Sequence, residues 1–214
     1  MDLYLIKCGE SIKDTQENFR LGLPDHNIYL TDAGVNDSKY AGIFLNEYLS
    51  KNNIDIKNAV MWVSPFLRAR QTASIINDYL KLDNVNEDFL LIGQRCGLFS
   101  DKSAGRNRME FEREFKFYDN YYKNDGEFYA KLPQGDSPLD VAVRTRVFLD
   151  MLPKEKNNPI FIVSHDKTIR TIIMNTFHYS PEWFTAEPKM GSCSIKVICD
   201  DKCDYIYGGP VKRL

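Results

Sequence analysis

The sequence predicts an α/β protein: a three-layer sandwich with a mostly parallel central sheet and helices on both faces. Three observations point there. Short apolar runs of strand length at Leu3–Ile6, Ala59–Val63 and Ile160–Val163 each end in a polar loop. Stretches with helical periodicity lie between them, and alternating strands and helices imply parallel pairing through crossovers. A closing pair of strands, Ile195–Ile198 and Tyr205–Tyr207, brackets the turn residues Asp200-Asp201.

The first strand runs from Asp2 to Ile6 and empties into Lys7-Cys8-Gly9-Glu10, where the glycine marks a loop. Residues 11–30 are polar and irregular. Thr31-Asp32 supplies a helix start, and Val35, Tyr40, Ile43, Phe44 and Tyr48 keep helical spacing to about Leu49. Ala59–Val63 is the second strand, broken by Ser64-Pro65. A helix follows with Ala69, Ala73, Ile76 and Leu80 on one face. Phe89 to Ile92 reads as a short strand. Residues 100–135 are the least regular, with a charged, aromatic helix expected from Arg106 to Asp119. Gln134-Gly135 marks a turn. Ser137-Pro138 opens a helix, because proline suits the first turn, and Pro153 stops it beyond Met151. Ile160–Val163 ends at Ser164-His165, and Asp166 to Phe177 follows as a helix.

Composition bounds the function. Hydrophobic residues make up 43% and charged residues 27%, a balance that argues against disorder. Domains usually hold ~100–200 residues, so 1–214 reads as one domain, with a lid or insertion near 98–135. Lys plus Arg total 28 against 30 Asp plus Glu, for a net charge of -2, which excludes a globally basic nucleic-acid binder. No apolar run is long enough for a membrane span, and Met1-Asp2-Leu3-Tyr4 lacks the basic start of a leader. The cysteines, Cys8, Cys96, Cys193, Cys199 and Cys203, are odd in number in a chain too large to need disulfides. Reduced thiols and a cytoplasmic location are expected. Cys199 and Cys203 have no second pair or nearby His, so zinc is not expected.

In open α/β sheets, ligands bind beyond the carboxyl ends of the strands. Three such ends carry polar groups: Lys7-Cys8-Gly9-Glu10, Ser64 through Arg70, and Ser164-His165-Asp166. If the strands are neighbours, Lys7, Arg68 and His165 converge with Cys8 among them. Such a cluster attracts an anion, and a phosphoryl group fits guanidinium and ammonium donors. The plainer reading makes Cys8 a small core residue and Arg68 a solvated helix residue.

The motifs resemble those of the histidine phosphatase superfamily, also called phosphoglycerate-mutase-like. Leu3-Tyr4-Leu5-Ile6-Lys7-Cys8-Gly9-Glu10-Ser11 stands where that family has an apolar strand and then Arg-His-Gly-Glu-Ser. Leu30-Thr31-Asp32-Ala33-Gly34 resembles its Leu-Thr-x-x-Gly helix start. Ser64-Pro65-Phe66-Leu67-Arg68-Ala69-Arg70-Gln71-Thr72-Ala73 is nearly its Ser-Pro-x-x-Arg-Ala-x-Gln-Thr-Ala. Val163-Ser164-His165 with Ile169-Arg170 resembles its Ser-His-Gly-x-x-x-Arg segment. Gly126-Glu127-Phe128-Tyr129, then Pro133 to Ser137 and Asp140-Val141, is similar to the plant and fungal branch. The resemblance implies metal-free, cofactor-free phosphoryl chemistry through a phosphohistidine. The first-motif His attacks phosphorus, cations hold the phosphate oxygens, and a carboxylate protonates the leaving alcohol.

The departures fall on those roles. Cys8 occupies the nucleophile position. Lys7 replaces an arginine and loses its bidentate fork. Asp14 falls near a phosphate-contacting Asn and would repel the ligand. The proton-donor position, aligned on Gly97 within Gly93-Gln94-Arg95-Cys96-Gly97, is Gly93. Asp166 replaces a glycine and adds negative charge. Arg68 and His165 are retained, and Asp136 stands where some members have a glutamate able to serve as acid. The expectation is therefore a catalytically inactive or strongly impaired pseudophosphatase that still binds a phosphorylated small molecule or a protein. Lys7, Arg68 and His165 are its phosphate-binding residues. The alternative is an active metal-independent phosphomonoesterase with Cys8 as nucleophile. In it, Lys7, Arg68 and a cationic His165 favour the thiolate, and Asp136 or a water serves as acid. Glu10 reads as a cap or a tuning carboxylate, Arg95 as a surface cation or a repair of the pocket's potential. His26 and His178 read as structural, and the aromatic group Phe111, Phe115, Phe117, Tyr118, Tyr121 and Tyr122 as packing of the insertion.

Overall fold

A computed structural model describes residues 2–15, 23–99, 111–153 and 158–211. Six strands form one sheet: β1 (Leu3–Lys7), β2 (Val60–Val63), β3 (Val85–Glu87), β4 (Ile160–Ser164), β5 (Ile195–Cys199) and β6 (Lys202–Tyr207). Their order is β3-β2-β4-β1-β5-β6. β3, β2, β4 and β1 run parallel, and β5 and β6 join antiparallel at one edge. The register Leu3↔Ile160 through Lys7↔Ser164 brings the polar ends of β1 and β4 side by side. Val63 lies opposite Val163 in the adjoining pair, so three carboxyl ends share one rim of the sheet.

Side chains alternate across a strand, and here both faces are apolar because both are covered. Tyr4, Ile6, Met61, Val63, Phe161 and Val163 face α1 (Asp32–Lys51) and α2 (Leu67–Leu80), which bring Ala41, Leu45, Ala69, Ala73 and Ile76. Leu3, Leu5, Val60, Ile160 and Ile162 face the other layer, which brings Phe148, Ile169, Ile172 and Ile173. That second layer is α4 (Pro138–Met151) and α5 (Asp166–Phe177), and α3 (Glu112–Asp125) precedes them in the chain. The three layers and the sheet agree with the expected fold.

The helix starts follow their caps. Thr31 Oγ1 accepts from Gly34 N–H, and Ser137 with Asp140 makes a reciprocal capping box behind Pro138. Both α2 and α5 end on a residue in the left-handed region, Lys81 and His178, where the chain turns. His178 thus lies exposed at a helix end, and His26 lies exposed in a single 3₁₀ turn, Asp25–Asn27. No helix among the described residues is long and apolar enough to cross a membrane.

Several elements differ from expectation. Phe89–Leu91 is a 3₁₀ turn and not a strand, because the Asp88 carboxylate accepts from Leu90 N–H and caps it. The strand lies just before it, at Val85–Glu87, on the sheet edge, where Val85 is exposed and no apolar alternation marks it. A short helix α6, Pro181–Ala186, follows another Ser-Pro start, and β6 begins earlier than expected, at Lys202. The expected Arg106–Asp119 helix is found as α3, Glu112–Asp125; residues 100–110 of the insertion lie outside the described residues. Phe115 is its only buried side chain among those described, while Phe117 and Tyr122 stand exposed.

One close approach fixes the first loop to α1. A Cβ on Gly34 would lie 2.0 Å from the Glu10 carbonyl oxygen, closer than any real contact. Gly34→Ala therefore forces the Lys7–Glu10 loop away from α1 and costs about 1–3 kcal/mol. Thermal unfolding should show Tm lowered by roughly 2–12 °C; an unchanged Tm would mean that the loop moves freely.

Candidate functional site

The site is built where the apolar runs of β1, β2 and β4 stop. Cys8 N–H donates to Ser164 C=O (2.8 Å) and Ser64 N–H to Val163 C=O (3.0 Å), so the ladder continues one residue into each loop. That extension carries Cys8, Ser64 and His165 to one place. His165 Nδ1 is 3.6 Å from Cys8 Sγ, and its Nε2 is 2.8 Å from Ser64 Oγ. Phe66 packs edge-on against the imidazole at 5.3 Å, and Gly93 lies against its other side, where an added Cβ would be 3.2 Å from a ring carbon. His165 is 9% exposed and Cys8 4%. The expected convergence of Cys8 and His165 is thus a direct contact.

Burial pushes the His165 pKa well below the ordinary imidazole value, and Arg68, Lys13, Lys7 and Arg144 push it the same way. His165 is therefore neutral at pH 7, and the expectation of a cationic His165 stabilising a Cys8 thiolate is corrected. A neutral imidazole has one donor and one acceptor nitrogen. If Ser64 donates to Nε2, then Nδ1–H points at Cys8 Sγ. If Nε2–H donates to Ser64, Nδ1 accepts from the Cys8 thiol.

The cations are held by one carboxylate. Arg68, 6% exposed, donates through Nη1 to the Asp25 carbonyl (2.8 Å) and to Asp25 Oδ1 (3.3 Å). Lys13 Nζ donates to the same Oδ1 at 2.8 Å. Arg68 also stacks over Phe66, 4.9 Å from its centroid, which links the guanidinium to the ring beside His165. Lys7 Nζ donates back to the Cys8 carbonyl at 3.1 Å. The expected group of Lys7, Arg68 and His165 is thereby joined by Lys13, Ser64 and Asp25. Sequence reasoning missed Lys13 and Asp25, which lie in an irregular stretch, and it placed Ser64 at a polar strand end without giving it a role.

The expected opposing carboxylates point elsewhere. Asp14 accepts from Ser11 N–H and Oγ–H and closes a local turn. Asp166 accepts from Arg170 Nη2 (2.8 Å) and Met190 N–H (2.8 Å), so its charge is spent on α5 and the segment before β5. Glu10 accepts from Thr31 Oγ1 at 2.7 Å; the helix N–H is capped by Thr31, so Glu10 braces the cap residue and is not the cap expected of it.

Behind Gly93 lies a second set of groups. Arg144 donates to the carbonyls of Leu90 (2.7 Å), Ile92 (2.6 Å) and Gly93 (3.1 Å), and Thr168 Oγ1 donates to Ile92 C=O. These bonds hold Gly93 against His165. Burial lowers the Arg144 pKa to about 10. Asp136, buried, accepts from Arg95 Nε (2.9 Å), Nη2 (2.7 Å) and backbone N–H (3.1 Å). Arg95 is therefore the partner of Asp136, and that bond pushes the Arg95 pKa up. A cavity of about 210 Å³ next to them is lined by Ile92, Arg95, Lys131, Asp136, Asp140 and Arg144. No metal-binding group of three or more His, Cys, Asp or Glu occurs among the described residues.

The His165 shift has a sign that can be measured. Its folded pKa lies below the unfolded value of ~6.5, so the unfolded chain takes up the proton first. The resulting stability is complete above about pH 6.5 and is lost as pH falls below it. Urea midpoints of the wild type should fall relative to His165→Gln on going from pH 8 to pH 5. Parallel curves for the two proteins would show that His165 titrates in the ordinary range.

The fold and these motifs can be placed among known proteins. The chain is 28% identical over 211 residues to phosphoglycerate mutase-like protein AT74 of Arabidopsis thaliana, covering 92% of this chain and 64% of that protein. It therefore spans just under two thirds of that relative's length. It is 24% identical to phosphoglycerate mutase-like protein AT74H of the same plant, covering 92% of this chain and 73% of that protein. The alpha-ribazole phosphatase of Shigella flexneri superposes with a TM-score of 0.74 at 18% identity, over 98% of this chain and 96% of that one. A mycobacterial glucosyl-3-phosphoglycerate phosphatase, described in complex with VO3, gives 0.70 at 18% identity over 98% of both chains. The family model of the histidine phosphatase superfamily, branch 1, matches residues 3–205, and the chain belongs to that superfamily.

Proposed function

We propose that this protein is a pseudophosphatase: a histidine-phosphatase fold that binds a phosphorylated small molecule or a phosphorylated protein without turning it over. The observation that carries this is the packing of Gly93 against the His165 ring. Aligned on Gly97, this is the position at which the superfamily keeps its proton donor, and glycine has no proton to give. Asp136, the other candidate acid, is committed to Arg95 through three hydrogen bonds. Cys8 replaces the nucleophile, and groups that act as one catalytic unit fail together. Binding is a separate matter. Arg68, Lys7 and Lys13 lie close enough to His165 to depress its pKa, so an anion placed beside the ring meets several positive charges. The reading takes 1–214 as a single unit acting in the cytoplasm, in keeping with its net charge of -2 and five cysteines.

A second reading has one specific observation behind it, the 3.6 Å contact between Cys8 Sγ and His165 Nδ1. A neutral His165 can accept the thiol proton, and a thiolate is a competent phosphoryl acceptor. Cys8 would then be the nucleophile of an active phosphomonoesterase, with a water as the acid.

An aryl phosphate assay separates the two. The wild type should show no turnover, while phosphate should raise its Tm, by roughly 5–10 °C at 100 times Kd. Arg68→Ala should abolish that rise. Turnover that is lost in a folded Cys8→Ser would establish the second reading instead, and no Tm shift at millimolar phosphate would remove the binding claim. Restoration gives an independent check. Lys7→Arg with Cys8→His and Gly93→Glu should gain phosphatase activity, provided the His165 ring yields the few tenths of an ångström that a side chain at 93 demands.

A further inference from the structure

We propose that Cys8 and Cys193 form a reversible cross-strand disulfide, a redox-modification site beneath the candidate pocket. The ladder of β1 and β5 sets Ile6 opposite Ile195. It continues through the hydrogen bond from Lys7 N–H to Ser194 C=O (3.1 Å), which makes the next pair Cys8 and Cys193. Beyond it, Glu10 N–H donates to Ser192 Oγ (2.9 Å), so contacts on both sides hold the two cysteines across from each other. Cys8 N–H points the other way, to Ser164. Cys8 and Cys193 therefore face each other just beyond the end of the ladder, where Ser194 N–H has turned back to Gly191 C=O. Disulfides form over Cα separations of about 4.4–6.8 Å.

The faces match as well. Cys8 and Cys193 belong to the same buried cluster, with Tyr4 and Ile6 on β1 and Ile195 on β5. The other cysteines contrast. Cys203 lies opposite Ile198 and Cys199 opposite Lys202, so those two thiols sit on opposite faces of the sheet. Among the described residues, Cys8 and Cys193 are the two cysteines that share this cluster. Cys193 also holds a left-handed backbone with φ of 50°, in the turn closed by Ser194 N–H on Gly191 C=O (3.2 Å). Glycine would take that conformation without strain, and a strained residue kept in place is one mark of a functional position.

The chemistry uses a peroxide as oxidant. Cys8, 4% exposed against 0% for Cys193, is the thiol that meets it. Cys8 gives its proton to His165 Nδ1, and the thiolate attacks a peroxide oxygen. The O–O bond breaks, and the departing hydroxide takes the proton from His165 and leaves as water. Cys8 is then a sulfenic acid. The Cys193 sulfur attacks Cys8 Sγ, the S–O bond breaks, and the hydroxide leaves with the Cys193 proton as a second water. Two thiols are oxidised and one peroxide is reduced to two waters. Burial raises the Cys193 pKa to about 11, which slows this second step. Ser38 Oγ, 3.3 Å from Cys193 Sγ, is positioned to pass on its proton. A thiol-based reductant reverses the bond through a mixed disulfide.

The proposal stands whether or not the pocket binds phosphate. Full-length reduced protein is treated with millimolar hydrogen peroxide, quenched with an alkylating agent and digested without reductant. Peptide mapping should find the Cys8 and Cys193 peptides linked, with the intact mass lower by two hydrogens and restored by dithiothreitol. The linked peptide should be lost in Cys193→Ser and in Cys193→Ala, a second choice in case one folds poorly, and kept in Cys96→Ser. Three results would overturn the proposal: Cys8 linked to another cysteine, Cys8 carried on to sulfinic acid with Cys193 still a free thiol, or both thiols unreacted when the exposed cysteines are oxidised.

Discussion

The register of three adjacent parallel strands fixes most of this protein. β2, β4 and β1 are paired so that Val63, Val163 and Ile6 end their apolar runs on one rim of the sheet. Each strand is buried on both faces, so it carries apolar residues until its carboxyl end and turns polar there. Ser64 follows β2 directly, and Cys8 and His165 follow Lys7 and Ser164, the polar last residues of β1 and β4. Their contacts, 2.8 Å and 3.6 Å, follow from strand spacing near 4.8 Å and from a ladder that runs one residue past each strand. A shift of one residue in any of the three would turn its polar residue into the core and its apolar residues out. The site is thus as rigid as the sheet.

Electrostatics follow from that rigidity. His165 is enclosed by Ser64, Cys8, Phe66 and Gly93, and several cations lie close by, so an unbound imidazolium there would be both desolvated and repelled. It stays neutral. The cations persist because Asp25 bonds both Arg68 and Lys13, and because Arg68 rests on Phe66. A single carboxylate between two cations leaves net positive charge beside the ring.

How much of this could be read from the sequence depended on whether the cause was local. The strands β1, β2 and β4 announce themselves by apolar runs, and α1 and α4 by caps at Thr31 and Ser137. Cys8, Lys7, Arg68 and His165 sit next to those elements in the chain, so locating the elements located them. β3 was missed because an exposed edge strand needs no apolar side chains, and the stretch after it was misread because Asp88 caps a 3₁₀ turn that looks apolar enough for a strand. Asp25, Arg95 with Asp136, and Arg144 with the Leu90–Gly93 carbonyls are contacts across 40 or more residues. No periodicity encodes them. Asp14 and Asp166 show the converse: their charge was legible, but its direction depended on Ser11 in one case and on Arg170 with Met190 in the other.

Cys8 brings these lines together. As a small apolar group it fits the cluster with Ile6 and Cys193, and packing alone accounts for its burial. Packing does not account for its position at the junction of two polar arrangements. On one side stands a neutral histidine able to share its proton, and on the other a second cysteine in strained backbone at the facing position of the ladder. An alanine or valine would satisfy the core and remove both. A histidine, which the resemblance to the superfamily's first motif would put here, could form no bond to Cys193. Cysteine at this position therefore sets an oxidisable sulfur against His165, among cations that Asp25 and Phe66 hold in place.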